Sequence, residues 1–415
     1  MILKLLGPLW ALGLLISFLW ISNKKLKIRI VRYPIIWIIG ITFLVRLIPA
    51  FILQTGSNYD IESFRLVADN VRDLKDIYTV VETGNRHPYL PLQMYWIGFA
   101  GWLADETGSG FNSIVRLAPI IADALIVLLL YNVISKKNIM DPIIGGLLYA
   151  LNPVSVYVSA YHGQFDSIPL LFLLVSLFYA GTSAYKSGFW LGIGIWIKSW
   201  PVLGLPIILN TFRGIKKKIL FGLAMVVLPL VGVIIYLLIF QADFFTTISK
   251  ALGYNHGMGV WGYTFFVKML GSAIFPDMNI WKILNFSRFV TIGILGLVWF
   301  LVARKQSPIN GVLTILLAFF VFTHAFSIQY LVWLIPFGIL IGDIRWIKWF
   351  TMAAFAYMFL VYHTLILDMA ITNIMHWPLA DTWIIIPASV PVWLVTFFWF
   401  IKHGEIYKNG KEKIQ

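Results

Sequence analysis

The chain has no cysteine and few charged residues. Without cysteine it can form no disulfide, thiol nucleophile or cysteine-ligated metal site. Only 12% of its 415 residues are charged, whereas a soluble domain is about one quarter charged. The mean hydropathy is +0.85, and many apolar runs approach the roughly 20 residues that cross a bilayer as a helix. These properties predict an all-α, polytopic integral membrane protein.

Motifs of soluble nucleotide-dependent enzymes are also missing. The sequence contains no Walker A motif and no H-E-x-x-H motif, and the glycines between positions 188 and 194 follow no predicted strand. No loop is long enough to form a cytoplasmic domain for ATP or a nucleotide sugar. We therefore expect chemistry on a substrate held in the membrane, without a soluble cofactor, and we identify no convincing set of metal ligands.

Acidic residues are scarce, 18 against 32 Lys and Arg, which gives a formal net charge of +14. Nucleic-acid-binding proteins can have such a balance, but here the basic residues lie mostly in short loops between apolar runs, as the positive-inside rule predicts. We therefore predict membrane lipids as partners and no nucleic acid. The apolar run 5–20 lacks a small-residue cleavage site and is interpreted as a retained helix.

Placing the basic loops in the cytoplasm predicts about thirteen membrane segments in a single transmembrane domain, 1–415, with no internal repeat. Residues 54–111 and 241–285 then form two outer segments. One helix over 188–209 would put the next basic cluster outside, so we predict two half-helices, 188–199 and 201–212. The break falls at Trp200-Pro201, because proline lacks a backbone donor. Broken helices at membrane depth line cavities or pack in protein, so Lys198 is expected near the outer end of a cavity.

The first outer segment, 54–111, holds eight of the 18 acidic residues. Its apolar residues recur at three- and four-residue spacing, which predicts an amphipathic helix on the membrane surface. A second apolar stretch, 91–103, is short for a span and is predicted to lie along the interface as well. The apolar face of the first helix is formed by Ile61, Phe64, Val67, Val71, Leu74 and Tyr78.

Asp60 stands at the start of the first surface helix. One interpretation is structural, since Ser57 and Asp60 have the spacing of a capping pair and acidic residues stabilise helix N-termini. The other interpretation is a general base at the outer membrane face, with Glu62 and Asp69 as weaker candidates. The local sequence leaves both open.

Further polar residues are predicted at the outer ends of helices that lie far apart in sequence. Ionisable residues inside a membrane cost free energy and are functional candidates, although each alone could be an interfacial side chain bonded to water or headgroups. Arg116 and Asp123 share a helix face and are predicted to form interhelical pairs, and His256 is a weak candidate. The set at the outer ends is Arg86, His87, His162, Gln164, Asp166, Lys198, His324, Gln329 and Tyr330.

Several short motifs, in order along residues 40–340, resemble the GT-C superfamily of glycosyltransferases, which use polyprenyl-phosphate sugars. The resemblance is to the branch with GPI mannosyltransferase I, the dolichyl-phosphate-glucose glucosyltransferases and prokaryotic mannosyltransferases. The acidic motif is not a plain Asp-x-Asp, so the family's base position falls on Asp60 or Glu62. The motifs are Asn58-Tyr59-Asp60-Ile61-Glu62, the stretches 86–92 and 116–123, Leu151-Asn152-Pro153, the run 162–166, Lys198-Ser199-Trp200-Pro201 and the run 329–333.

The resemblance implies an inverting transfer of a hexose, mannose or glucose, to a lipid-linked or glycan acceptor at the outer face of a prokaryotic cytoplasmic membrane. Asp60 would take the proton of the acceptor hydroxyl. Lys198, His162 and Arg86 would stabilise the leaving phosphate. Glu62, His87, Gln164, Asp166, Gln329 and Tyr330 complete the expected substrate-binding set.

Two alternatives remain at this point. A transporter or lipid flippase also contains broken helices and buried charges, although its site tends to lie near the midplane between repeated halves. A non-catalytic subunit of an envelope-assembly complex is the third reading of the same sequence.

Overall fold

A computed structural model describes residues 2–23, 32–53, 58–252, 261–274, 280–324, 326–366 and 387–408. The fold is all-helical, with 81% helix and no strand among these residues. Ser57 and His256, considered above, lie outside the described residues.

Nineteen α-helices are seen over the described part of the chain. They are α1 Ile2–Asn23, α2 Pro34–Leu47, α3 Tyr59–Arg72, α4 Gln93–Thr107, α5 Phe111–Val115, α6 Leu117–Lys137, α7 Pro142–Ala150, α8 Pro153–Val156, α9 Ser167–Tyr179, α10 Ala184–Ile197, α11 Leu205–Asn210, α12 Ile215–Phe240, α13 Phe244–Leu252, α14 Tyr263–Ile274, α15 Ile280–Leu301, α16 Pro308–Phe322, α17 Leu334–Leu340, α18 Ile344–Val361 and α19 Ser389–Lys408.

Shorter helical turns connect them. Three are π-helical: π1 Ile48–Ile52, π2 Tyr157–His162 and π3 Tyr362–Ile366. Three are 3₁₀-helical: Trp200–Gly204, Ala303–Lys305 and Ile328–Trp333.

Six helices of the described chain are long and apolar enough to cross a bilayer, so the protein is membrane-embedded. A seventh span results if Pro142–Ala150 and Pro153–His162, bent by 44°, are counted together. The prediction of about thirteen segments stays a prediction. The six are Leu5–Asn23, Pro34–Ile52, Phe111–Lys137, Ile215–Phe240, Ser287–Lys305 and Ile344–Thr364.

The chain divides into two compact units. The terminal unit comprises Met1–Ile38, Leu130–Val154 and His256–Gln415, and the central unit comprises Ile39–Leu129 and Ser155–Asn255. In the terminal unit α16 packs against α15, α17 and α19, while α1 packs against α7 and α18. Its core is rich in aromatic rings, such as Trp261 stacked on Phe326 with centroids 3.6 Å apart.

In the central unit α10 packs between α9 and α12. Glycines let the backbones of α10 and α12 approach closely, because a Cβ on Gly188 or Gly192 would come within 2.2 Å of a carbonyl oxygen of α12. Small residues at a four-residue spacing are typical of helix contacts in membranes.

The predicted surface helix is α3, and its apolar face packs on α4. It ends at Arg72, earlier than the predicted apolar face, because Leu74 turns into the left-handed region with φ 54°. Tyr78 is nevertheless buried, in the turns that follow. The second predicted helix, over 91–103, is α4, from Gln93 to Thr107.

The predicted break near Pro201 is confirmed. Helix α10 ends at Ile197, and Lys198 adopts an extended conformation with φ −155° and ψ 132°. The 3₁₀ turn Trp200–Gly204 follows, and α11 begins at Leu205. The first half-helix begins at Ala184, four residues earlier than predicted, where the Ser183 side chain accepts a hydrogen bond from the Lys186 amide.

Candidate functional site in the central unit

Asp60 is placed by the N-terminal cap of α3. Asn58 is the N-cap residue, and its Oδ1 accepts hydrogen bonds from the backbone amides of Asp60 and Ile61, each at 3.1 Å. Asparagine is among the best N-caps because its side chain satisfies otherwise unpaired amides of the first turn. The Asp60 side chain is therefore not needed as the cap acceptor and points elsewhere.

The Asp60 carboxylate accepts two hydrogen bonds on one oxygen, Oδ2. Nε2 of His162 lies 2.8 Å from it, and Nε2 of Gln164 donates to it at 2.6 Å. The Asp60 side chain is 35% exposed, whereas that of His162 is 5% exposed. A partly accessible carboxylate is thus held by two buried donors that lie 102 and 104 residues away in sequence.

Several opposing influences act on the pKa of Asp60. Burial is the largest single influence and raises the pKa. The hydrogen bond and charge of His162, the hydrogen bond from Gln164 and the charge of Lys198 all lower it. These lowering influences together outweigh burial. The net result is a pKa below the ordinary value of 3.8. Asp60 is therefore an ionised carboxylate at neutral pH.

The turn that carries His162 and Gln164 depends on Gly163. Residues 157–162 form π2, and Gly163 follows with φ 82°, a conformation that favours glycine. A Cβ there would lie 2.7 Å from Cδ1 of Ile61 and 3.1 Å from Cγ of Arg116. Asn58 Nδ2 also donates to the His162 carbonyl at 3.1 Å. The start of α3 and the end of π2 are thus fastened to each other.

A buried ion pair lies beside this carboxylate. Nζ of Lys198 donates to Oδ2 of Asp166 at 2.8 Å, with side chains 8% and 0% exposed. The ammonium also lies over two rings, 5.5 Å from the centroid of Tyr89 and 5.2 Å from that of Phe165. The break after α10 therefore places the Lys198 ammonium against the rings of Tyr89 and Phe165.

Arg86 and His87 take different positions. Arg86 lies over the Tyr59 ring at 4.7 Å and donates to Oγ of Ser63 at 3.2 Å, so its guanidinium covers the first turn of α3. His87 is buried between Tyr78 and Tyr89, and neither ring nitrogen has a hydrogen-bond partner among the described residues. Burial lowers the pKa of His87 to about 3, so its imidazole is neutral.

Gln164 retains an acceptor. Its Nε2 is committed to Asp60, while its buried Oε1 has no hydrogen-bond partner in the described part of the structure. This orientation of the Gln164 amide is favourable, because a Gln164 carbonyl oxygen turned toward the Asp60 carboxylate would be repelled by it. A hydroxyl group entering the site could donate to this oxygen.

Glu62, Gln329, Tyr330 and His324 are the remaining predicted residues. Glu62 is exposed on α3, and Gln329 and Tyr330 belong to the 3₁₀ turn Ile328–Trp333 of the terminal unit. There Tyr330 stacks on Trp333, with centroids 4.3 Å apart. His324 lies in the same unit and is buried. Over the described ranges no three His, Asp or Glu side chains form a group that could hold a metal ion.

The predicted interhelical pairing is confirmed for Asp123, and its partner is Arg46. Nε of Arg46 donates to Oδ2 of Asp123 at 2.7 Å. Nη2 of Arg116 donates to the Tyr161 carbonyl at 2.9 Å. Sequence reasoning overlooked Arg46, although a lone arginine in the apolar run 34–52 is a visible signal.

No protein-family model matches the chain, and no curated protein is significantly similar to it.

Proposed function

We propose that the protein is an inverting glycosyltransferase, which transfers a hexose from a polyprenyl-phosphate donor to a lipid-linked or glycan acceptor. The observation that carries this proposal is the Asp60 carboxylate, ionised and partly accessible, with both donors on one oxygen. Its other oxygen, Oδ1, accepts no hydrogen bond from any described residue and is available to an acceptor hydroxyl. A positioned carboxylate within hydrogen-bond reach is what general-base catalysis requires.

In the proposed reaction the acceptor oxygen attacks the anomeric carbon while Asp60 takes its proton. The new carbon–oxygen bond forms as the bond from that carbon to the phosphate oxygen breaks, and polyprenyl phosphate leaves with the electron pair. Attack opposite to the leaving group inverts the anomeric configuration. Every atom and charge is accounted for without a cofactor.

Lys198 supports the phosphate side of this proposal. Its ammonium is buried, and its charge acts on Asp60. Preorganised cations stabilise the charge that develops on a leaving group. Arg86, with its guanidinium over Tyr59, is a second cation at the same helix start.

The sugar side rests on Gln164 and the rings. Oε1 of Gln164 is an acceptor that bonds no described residue, and Tyr89 meets Phe165 edge-on with centroids 4.9 Å apart. Aromatic surfaces next to a few polar atoms are typical of small-molecule sites. We assign His162 and Gln164 to the orientation of Asp60 and retain His87 as a neutral binding residue.

The proposed location is the outer face of a prokaryotic cytoplasmic membrane, in a multi-pass GT-C-like fold. Asp60 follows the span Pro34–Ile52 by eight residues, and His162 ends the bent pair Pro142–His162. The count of about thirteen segments requires the shorter apolar helices to enter the membrane too. Four of these are Ser167–Tyr179, Trp200–Asn210, Pro308–Phe322 and Ile328–Leu340. They bring the count to eleven, and α10 and α19 would complete the thirteen.

A lipid or sugar-lipid flippase is the second candidate, favoured by the break between α10 and α11 beside the buried pair Lys198–Asp166. Proteoliposomes supplied with polyprenyl-phosphate mannose or glucose and a lipid extract separate the two. Labelled glycolipid that needs wild-type protein and disappears with Asp60→Asn supports the transferase. Donor that crosses the bilayer without any transfer supports the flippase and overturns the proposal.

A further inference from the structure

A second buried polar group lies in the central unit, and it includes none of the side chains that bond Asp60. Arg46 uses three donors: Nε to Asp123 at 2.7 Å, Nη2 to Oγ of Ser155 at 2.8 Å and Nη1 to the Thr42 carbonyl at 3.3 Å. The side chains of Arg46 and Asp123 are both 0% exposed. Burying a charge pair within apolar spans costs free energy, so we look for a role that this pair fulfils.

The position of this group suggests the reason. Arg46 is the second-last residue of α2, directly before π1, and Ser155 belongs to α8, directly before π2. π1 and π2 contact each other. The guanidinium therefore joins the two helices at the points where both change from α to π geometry.

The far ends of the same two π-turns lead to the site. π2 ends at His162, and π1 ends eight residues before Asp60. Neighbouring bonds hold the turns along their length: Oγ of Ser113 donates to the Ala50 carbonyl at 2.7 Å, and Arg116 donates to the Tyr161 carbonyl. π-turns inside α-helices are uncommon and occur frequently at functional sites.

We propose that Arg46, Asp123 and Ser155 are positioning residues, which hold π1 and π2 in the register that brings His162 and Gln164 onto the Asp60 carboxylate. The side-chain partners of Asp60 are His162, Gln164 and Lys198 and include none of these three residues, so the three act through the two turns. The inference rests on the proposed function for its effect on transfer, but its geometry stands without that function.

The test replaces the pair by apolar residues, in the double variant Arg46→Met/Asp123→Leu. Exchanging a whole buried ion pair for apolar side chains is often neutral or stabilising, whereas removing one partner is not. A purely structural pair predicts a folded double variant with an unchanged site. A positioning role predicts a folded variant in which Asp60 has lost its donors.

Carbodiimide labelling of Asp60 at pH 6, followed by mass spectrometry, measures the loss of these donors without relying on activity. The reagent modifies protonated carboxyl groups, and each unit by which the Asp60 pKa rises gives about ten times more protonated acid. We expect at least about a tenfold rise in Asp60 labelling relative to exposed Glu106 in the same sample. In the transfer assay kcat should fall at least about tenfold, with little change in the donor KM.

Wild-type labelling in the folded double variant would overturn the positioning role. If that variant does not fold, Ser155→Ala decides, because it removes one bond and leaves the ion pair in place. It should raise Asp60 labelling severalfold, and unchanged labelling would overturn the proposal. If wild-type protein transfers no sugar, the proposed function fails, while the labelling result still decides the positioning role.

Discussion

Helix α3 makes two kinds of carboxylate contact on its two faces. On one face Asp60 meets the buried donors His162 and Gln164. On the other, Arg65 bonds Asp105 of α4 at 3.1 Å, with side chains 36% and 42% exposed. The pKa values of Asp60 and Asp105 both lie below the ordinary value, Asp105 chiefly through the Arg65 hydrogen bond. A lowered pKa therefore does not mark the site; the burial of the partners does.

Asp60→Asn tests the difference between Asp60 and Asp105 most directly. The amide cannot accept the proton of a hydroxyl, so transfer should fall by about 10²–10⁴-fold, the usual contribution of a general base. Initial rates in proteoliposomes measure the loss. The matched control is Asp105→Asn, which leaves the Asp60 contacts intact and should keep the wild-type rate. Wild-type turnover in Asp60→Asn would remove the base assignment.

Lys198→Met tests the effect of the Lys198 positive charge on Asp60. It leaves Asp166 buried without its cation, which should lower the unfolding free energy by about 3–5 kcal/mol. It also removes a positive charge that lowers the pKa of Asp60, so that pKa rises. Because the ionised form is the base, activity should then be lost at a higher pH on acidification than in wild type.

The pH profile of transfer and thermal unfolding in detergent measure these two effects. The control is Lys250→Met, since Lys250 bonds Asn85 and not a carboxylate. An acid limb that stays in place in Lys198→Met would show that this charge does not act on the base.

Gly163→Ala should have a smaller effect on stability. Its φ of 82° costs an alanine about 1–2 kcal/mol, before the contact with Ile61 is counted. Transfer should fall as well, because His162 and Gln164 flank the turn. Gly110→Ala is the control, with φ −64° and no atom within 4 Å of an added Cβ. Equal melting temperatures for both variants would contradict the strained turn.

The pH dependence of stability supplies the smallest expected effect. The pKa of Asp60 in the folded protein lies below its unfolded value, so its stabilising contribution is present above pH 3.8 and is lost as pH falls through the folded pKa. Melting temperatures should therefore drop less between pH 6 and pH 3 in Asp60→Asn than in wild type. An identical drop in both proteins would show that Asp60 has no such linkage.

Local patterns predicted much of the helical structure. The spacing of Ile61, Phe64, Val67 and Val71 predicted α3, and the proline at 201 predicted the break after α10. These features depend on residues close together in sequence. The end of α3 could not be predicted in this way, because it depends on Leu74 and on Asp76, which accepts a hydrogen bond from the distant Tyr236 hydroxyl.

The site was predictable as a set of residues and not as a set of contacts. Depth in the membrane grouped Asp60, His162, Gln164 and Lys198, but nothing local shows that Asp166 pairs with Lys198 or that Gln164 bonds Asp60. The cap is a similar case, since Asn58 outcompetes Asp60 as the acceptor only once the backbone is in place. These two pairings join residues 32 and 104 positions apart in sequence, and they follow from packing.

The six-residue turn π2 also constrains how this chain can evolve. A π-turn corresponds to an α-helix that has gained one residue, and a single-codon deletion within 157–162 would restore the regular helix. Each residue of an α-helix advances the chain by about 100°, so such a deletion would rotate His162 and all that follows away from Asp60. Lineages descended from this protein should therefore conserve the length of this buried turn as well as His162.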